Sequence, residues 1–380
     1  MTERHALITG GAGFIGSHLT DTLIARGFTV TVLDDLRPQV HADAPVDANG
    51  WPIYLNPLAR RIHGTVLDEA LVASALDGIT HLVHLAASVG VGQSMTDIVD
   101  YTRNNAVGAA TILQVLSQGK HHVRRIAVAS SMSIYGEGAY RDGDSSVPIA
   151  PSPRTADQLR EQRWELRDDR NRQLAPVPTK EEKPLQPGSI YAINKRDHEE
   201  MFLAVGRALD IPTIALRLFN AYGSRQALSN PYTGVAAIFI ARLLNDAPPL
   251  VFEDGEQRRD FVHVADVADA FATVLESDLE VWDSFNVGSG RSITVAEIAR
   301  TLARLLGKNI APDILGRYRV GDIRHCFADV GKIEETFGFI PKRGFEDGMA
   351  ELIEWVRTTE TPPDRTGESM AALERGRLLV

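Results

Sequence analysis

Tyr191 and Lys195 stand four residues apart in the run YAINK. A free tyrosine is protonated and nearly inert at neutral pH, with a pKa of about 10. On a helix, residues i and i+4 share one face, so the spacing predicts an ammonium beside a phenol. Two unit charges about 4 Å apart attract by roughly 4 kcal/mol at an effective dielectric of 20. That attraction would lower the phenol's pKa by up to about three and poise Tyr191 as a general base. Further hydroxyls lie in VASSMSIYG, where Ser130, Ser131 and Ser133 end an apolar strand pattern. Open α/β sheets build their sites at the carboxyl ends of strands. Each feature alone has a plain alternative, since serines also cap strands and Y-x-x-x-K arises by chance.

A third group of residues suits a dinucleotide. ITGGAGFIGSHL follows the first apolar run and opens a helical pattern, with Gly10, Gly13 and Gly16 in a G-x-x-G-x-x-G series. Glycine permits the tight turn and a close approach of phosphate to the backbone of Phe14 and Ile15. The helix N-terminus adds donors and positive potential. The second strand ends in TVLDDL. Asp34 is placed to accept ribose hydroxyls and to repel a 2′-phosphate, which favours NAD over NADP. Asp35 reads both as a turn cap and as a wall of the same site.

These residues need a scaffold, and the pattern supplies one. HALIT, FTVTVL, THLVHLA, RRIAVAS and IPTIALRLF read as buried strands, with FIGSHLTDTLIARG and NAVGAATILQVLSQ as helices between them. Alternating strand and helix predicts a Rossmann-type, doubly wound parallel sheet over residues 1–220. A polar, proline-flanked insertion at about 137–187 interrupts it, read either as a solvated loop or as a lid. Residues 221–360 hold three helical patterns separated by short strands and read as a smaller C-terminal α/β substrate-binding lobe, with room for its strands to interleave with the first sheet. Residues 361–380 read as a loosely held tail.

Composition narrows the class. The 380 residues carry a formal net charge of −10, which argues against a nucleic-acid binder. Cys326 is the only cysteine, so an internal disulfide and a cysteine-rich metal site are both excluded, and no metal is expected. No run approaches the ~20 apolar residues of a membrane span, and a cytoplasmic location is expected.

In order along the chain, TGGAGFIG, HLAA, RNNAVGA, SSMSIYG, YAINK, LRLFNAYG, RRDFVHVADVADA and YRVGDIRH resemble the motifs of the extended short-chain dehydrogenase/reductase family, in its NAD-dependent nucleotide-sugar epimerases and dehydratases. The resemblance covers nearly the whole chain. It implies Ser131 as catalytic hydroxyl, Tyr191 as acid/base and Lys195 as its partner on the nicotinamide ribose. It adds Leu85, Ala86, Ala87 and Asn105 to the cofactor residues. Thr65 stands where relatives often carry aspartate near adenine, so that contact is expected to differ, while Val66 still packs on the ring. For a nucleotide-diphosphate sugar it implies Val91, Ser131, Ser133, Asn220, Arg259, Arg319 and Asp322.

Dehydratases of the family carry an acid pair after the catalytic hydroxyl, and decarboxylases usually a glutamate where Ser133 lies. Met132 and Ser133 follow Ser131 here. What remains is the set for C4 epimerisation by transient oxidation, rotation of the ketose and re-reduction. The nearest resemblance is to a bacterial branch acting on dTDP-6-deoxyhexoses, although its usual cysteines in the insertion are absent. UDP-hexose 4-epimerases, CDP-sugar 2-epimerases, a net 4-reductase and a silent NAD sensor are the alternatives. A homodimer is expected through segments 95–116 and 189–209.

Overall fold

A computed structural model describes residues 4–41, 44–143, 145, 147–227, 234–358, 364, 366–376 and 379–380. Seven parallel strands form the central sheet: β1 (His5–Thr9), β2 (Thr29–Asp34), β3 (Arg60–His63), β4 (His81–His84), β5 (Arg125–Ser131), β6 (Thr213–Leu218) and β7 (Trp282–Val287). Their order is β7-β6-β5-β4-β1-β2-β3. The winding reverses between β1 and β4, which is where such sheets open a crevice for ligands. Apart from the edge strand β3, these strands are mostly buried because helices cover both faces.

One face packs against α1 (Phe14–Ala25), the other against α2 (Gly108–Ser117) and α3 (Ile190–Ala208). Helices α4 (Val235–Leu244), α6 (Val295–Leu305) and α7 (Phe345–Arg357) share a separate core around Phe239, Leu302 and Leu352. This is the lobe expected to hold the substrate. Helix α6 begins with a capping box, Thr294 and Glu297 satisfying each other's backbone N–H groups.

The helix between them, α5 (Val264–Glu276), corrects the expected boundary. Its buried Val267, Phe271 and Val274 join the core that contains Leu19 and Leu23 of α1. Arg26 on α1 reaches Asp269 and Glu276, each at 2.7 Å. Strand β7 then pairs with β6 at the sheet edge. The nucleotide half therefore takes two elements from beyond residue 220. An apolar stripe records that a helix is covered but not which core covers it.

The insertion is folded, although much of its surface stays exposed. Residues Ala139–Arg141 pair antiparallel with Ala175–Val177, and Tyr140, Leu166 and Leu174 form a small core. Buried ion pairs fasten it to the substrate lobe. Arg154 meets Glu253 at 2.8 Å, and its other nitrogen donates to the Asp322 carbonyl at 2.9 Å. Fully buried Arg324 bonds Glu165, Glu253 and Asp254. None of the described insertion residues lines either large cavity, so the lid reading finds no support.

The expected loose tail also differs. Helix α8 (Thr366–Arg375) is formed, and Val380 exchanges two backbone hydrogen bonds with Tyr318, both 3.0 Å. Amphipathic spacing within a mainly polar segment hid it. No helix among the described residues is long and apolar enough to cross a membrane.

Candidate active site

The turn from β1 into α1 builds the first cavity, of about 370 Å³. Gly10 has φ +71°, and a Cβ there would stand 2.7 Å from the Ala86 nitrogen. A Cβ on Gly16 would overlap the Gly10 carbonyl. Both glycines are thus required by close packing rather than by flexibility. Gly13 caps α1 without a side-chain acceptor, which leaves first-turn N–H groups available to a diphosphate. Asp34 is almost buried and accepts from Ala12 N at 3.0 Å and Leu36 N at 2.9 Å. Its carboxylate tethers the glycine turn while lining the cavity.

Gly10, Gly13, Phe14, Ile15, Gly16, Asp34, Asp35, Thr65, Val66, Leu85, Ala86 and Ala87 all line this space, as do Ser131, Tyr191 and Lys195. Asn105 does not. Its side chain donates to the Ser88 carbonyl at 3.0 Å and accepts from Ser88 N at 2.7 Å. It shapes the loop after β4 from behind, and neighbouring Asn104 faces the cavity instead. Arg37 also lines it, yet its guanidinium is spent on Asp35, Asp100, Asn104 and Ser88. A cation so engaged is not free for a 2′-phosphate, and the site fits NAD.

The reacting groups meet where β5 ends. Ser189 caps α3 by accepting from Ala192 N at 3.1 Å, which starts the helix two residues before Tyr191. The Tyr191 amide donates to Ser94 Oγ at 3.1 Å, so the short helix Val91–Ser94 also fixes this start. Ser131 stands close enough to the Tyr191 phenol to favour its ionised form. Ser133 Oγ donates to Ser131 Oγ at 2.9 Å, leaving the Ser131 proton free to point onward. Ser130 turns away and donates to Glu199 at 2.6 Å. Glu199 continues the four-residue spacing after Lys195 and pairs with buried Arg217. The repeat of that spacing was its available signal.

The electrostatics correct one expectation. Burial pushes the Tyr191 phenol above its ordinary value, and the Ser131 hydroxyl opposes this only in part. Burial pulls Lys195 down to about 8, and its ammonium donates to the Ala129 carbonyl at 2.9 Å. Helical proximity placed both groups in the site, but in the chain alone burial governs both.

A second cavity, of about 470 Å³, runs from this point into the substrate lobe. Val91, Ser133, Asn220, Arg259, Arg319 and Asp322 line it. The Asn220 side-chain oxygen is buried without a hydrogen-bond partner among the described residues, as suits a ligand contact. Arg319 lies over the Phe252 ring at 5.0 Å and bonds Asp322 at 2.7 Å. Arg259 is anchored by the Ile323 and Arg324 carbonyls at 2.6 and 3.0 Å. Burial opposes it, yet Arg319 and Arg259 hold the Asp322 carboxyl below its ordinary range. Asp322 therefore orients the two cations, a role better matched to the geometry than direct contact with an anionic diphosphate.

The profile of the NAD dependent epimerase/dehydratase family matches residues 6–156 and 172–288. The chain belongs to this family. A dTDP-L-rhamnose 4-epimerase from Burkholderia thailandensis is 34% identical over 355 residues, covering 92% of this chain and 94% of that one. A UDP-N-acetylglucosamine 4-epimerase from Methanobrevibacter ruminantium, solved with UDP-N-acetylmuramic acid, superposes with a TM-score of 0.74 at 26% identity, covering 94% and 99% of the two chains. A Thermus thermophilus UDP-glucose 4-epimerase, solved with NAD, gives 0.72 at 29% identity, covering 93% and 99%. As a family member the protein is an NAD-dependent enzyme of the nucleotide-sugar epimerase/dehydratase group.

For this epimerase-family site, Asp34→Ala is expected to weaken NAD binding by roughly 10- to 100-fold, the worth of hydrogen bonds to a charged group. NADP should lose far less. Calorimetric titration of both cofactors into the cofactor-stripped protein checks this.

Proposed function

We infer that the enzyme is a nucleotide-sugar 4-epimerase and that its substrate is a dTDP-6-deoxyhexose of the dTDP-L-rhamnose type. One observation carries the choice among the family's reactions. Among the described residues lining the two cavities, the carboxylates are Asp34, Asp35, Asp322 and Asp364. Asp34 accepts from the glycine turn, and the others pair with Arg37, Arg319 and Arg242. None follows Ser131, where Met132 and Ser133 stand. Elimination of a C6 hydroxyl needs an acid there, whereas epimerisation does not.

Tyr191 takes the proton of the sugar O4 hydroxyl, and Ser131 holds the same oxygen through the proton that Ser133 leaves free. The glycine turn and Lys195 would hold NAD, which would supply the hydride acceptor for C4 and the donor that restores it. The ketose turns in the wider second cavity so that C4 regains the hydride on its opposite face, and Tyr191 returns its proton to O4. Val91, Met95, Met132 and Ala192 give the cleft an apolar wall that suits a sugar methyl. Arg259 and Arg319 bind the diphosphate. The 34% identical dTDP-L-rhamnose 4-epimerase supports the substrate class.

Incubation with dTDP-, UDP-, GDP- and CDP-sugars, followed by NMR, tests the reading. The expected product is inverted at C4 with no net NADH consumed. Stoichiometric NADH oxidation, or loss of water from a 6-hydroxy sugar, would overturn it. Exposed Ile98, Val99, Val107 and Ile193 on the predicted pairing helices support a homodimer.

A further inference from the structure

The second cavity has an unexpected wall, formed by the C-terminal helix. Met370 and Leu373 of α8 line it, together with Thr366 and Asp364. The terminal segment is tied down at several points around the cleft. Leu373 packs beside Gly92, where an added Cβ would stand 3.5 Å from its methyl. Glu374 pairs with Arg317 at 2.9 Å, and Asp364 with Arg242 at 2.8 Å. Leu379 bridges to Arg319 and is nearly buried.

These contacts place α8 across the cleft. Gly92 belongs to the same short helix as Ser94, whose hydroxyl accepts the Tyr191 amide. Leu373 packs on that helix, while its neighbour Glu374 reaches Arg317, two residues from Arg319. Met95, Met132 and Met370 present flexible apolar side chains, which suit a small aliphatic group.

We propose that α8 is the cap of the substrate cleft, with Met370 and Leu373 as specificity-determining residues that read the sugar's C6 substituent as a methyl rather than a hydroxymethyl group. The identity of the sugar rests on the function proposed above; the contact with a sugar does not. Burying an unpaired hydroxyl against Leu373 is unfavourable, whereas a methyl loses nothing there.

Leu373→Gln is the test. The full-length variant should keep its NAD content. Its ratio of kcat/KM for a dTDP-6-deoxyhexose over the corresponding 6-hydroxy sugar should fall about 10-fold, the usual scale for one group in an apolar pocket. A merely structural helix would lower both values together, and an unchanged ratio overturns the proposal. A chain ending at Thr358 should likewise lose sugar discrimination, and Met370→Gln stands in for it if that chain does not fold. If the wild type turns over only 6-hydroxy sugars, the assigned substrate fails on its own. The cap is then judged by comparing KM of that sugar with inhibition by its nucleoside diphosphate. A larger effect of Leu373→Gln on the sugar supports the cap, and equal effects overturn it.

Discussion

Tyr191→Phe is expected to lower kcat by about 1,000-fold while leaving NAD and nucleotide-sugar binding nearly intact. The ring fills the same space, so the loss isolates the hydroxyl that carries the O4 proton. A coupled assay of C4 inversion, beside cofactor content measured after heat release, checks both halves. The pH profile gives an independent readout. Burial places the phenol above its ordinary value in the chain alone, so the base form is scarce at neutral pH. The forward rate should therefore rise as pH increases from neutrality, and this limb should vanish in the variant. Lys195→Met should move the limb to higher pH, because removing a cation disfavours the phenolate. A limb that persists in Tyr191→Phe would assign the base elsewhere.

Arg324→Met is expected to cost about 3–5 kcal/mol of stability, as for other buried charges that lose one partner. Arg324 is fully buried and donates to Glu165, Glu253 and Asp254 at once, with its own amide on Glu137 at 2.8 Å. Removing it leaves Asp254 without its cation and nearly fully buried Glu253 with Arg154 alone. Burial already pushes Glu137 and Glu253 above the ordinary carboxylate range. Glu165 behaves oppositely. Despite its burial, His325 and Arg324 hold it down from 4.5 to about 2. A depressed acid contributes its stability above its ordinary pKa and loses it as pH falls through the folded value. In the variant the Arg324 share of that contribution is gone while His325 remains, so the deficit should be largest near neutrality and shrink below about pH 4.5. Urea unfolding at pH 7 and pH 4 measures the difference. KM should also rise, because the Arg324 and Ile323 carbonyls anchor Arg259.

Much of the site was legible because its signals are local. The glycine series, the strand-end serines and Y-x-x-x-K each express a constraint among residues a few positions apart, and the fold brings Ser131, Tyr191 and Lys195 to one cavity. What stayed hidden depends on distant partners. The stripe of α5 fits either lobe, and only contact with α1 decides between them. Arg154 and Glu253 look like surface charges until the insertion folds over them. Asn105 carries a recognisable motif, yet its amide satisfies the Ser88 backbone. The Tyr191 phenol moved against expectation because spacing reports proximity but not the loss of solvent that accompanies it.

The outer strand β7 and the helix α5 come late in the chain and pack early in the architecture. While a growing chain ends at Tyr222, Leu218 and α1 have no cover from Phe285 or Phe271, which share their core. On the ribosome the nucleotide-binding half must wait for much of its neighbour before its apolar layer closes. The two halves thus mature as one cooperative unit, and a gene split between them would yield pieces that each expose a sticky face.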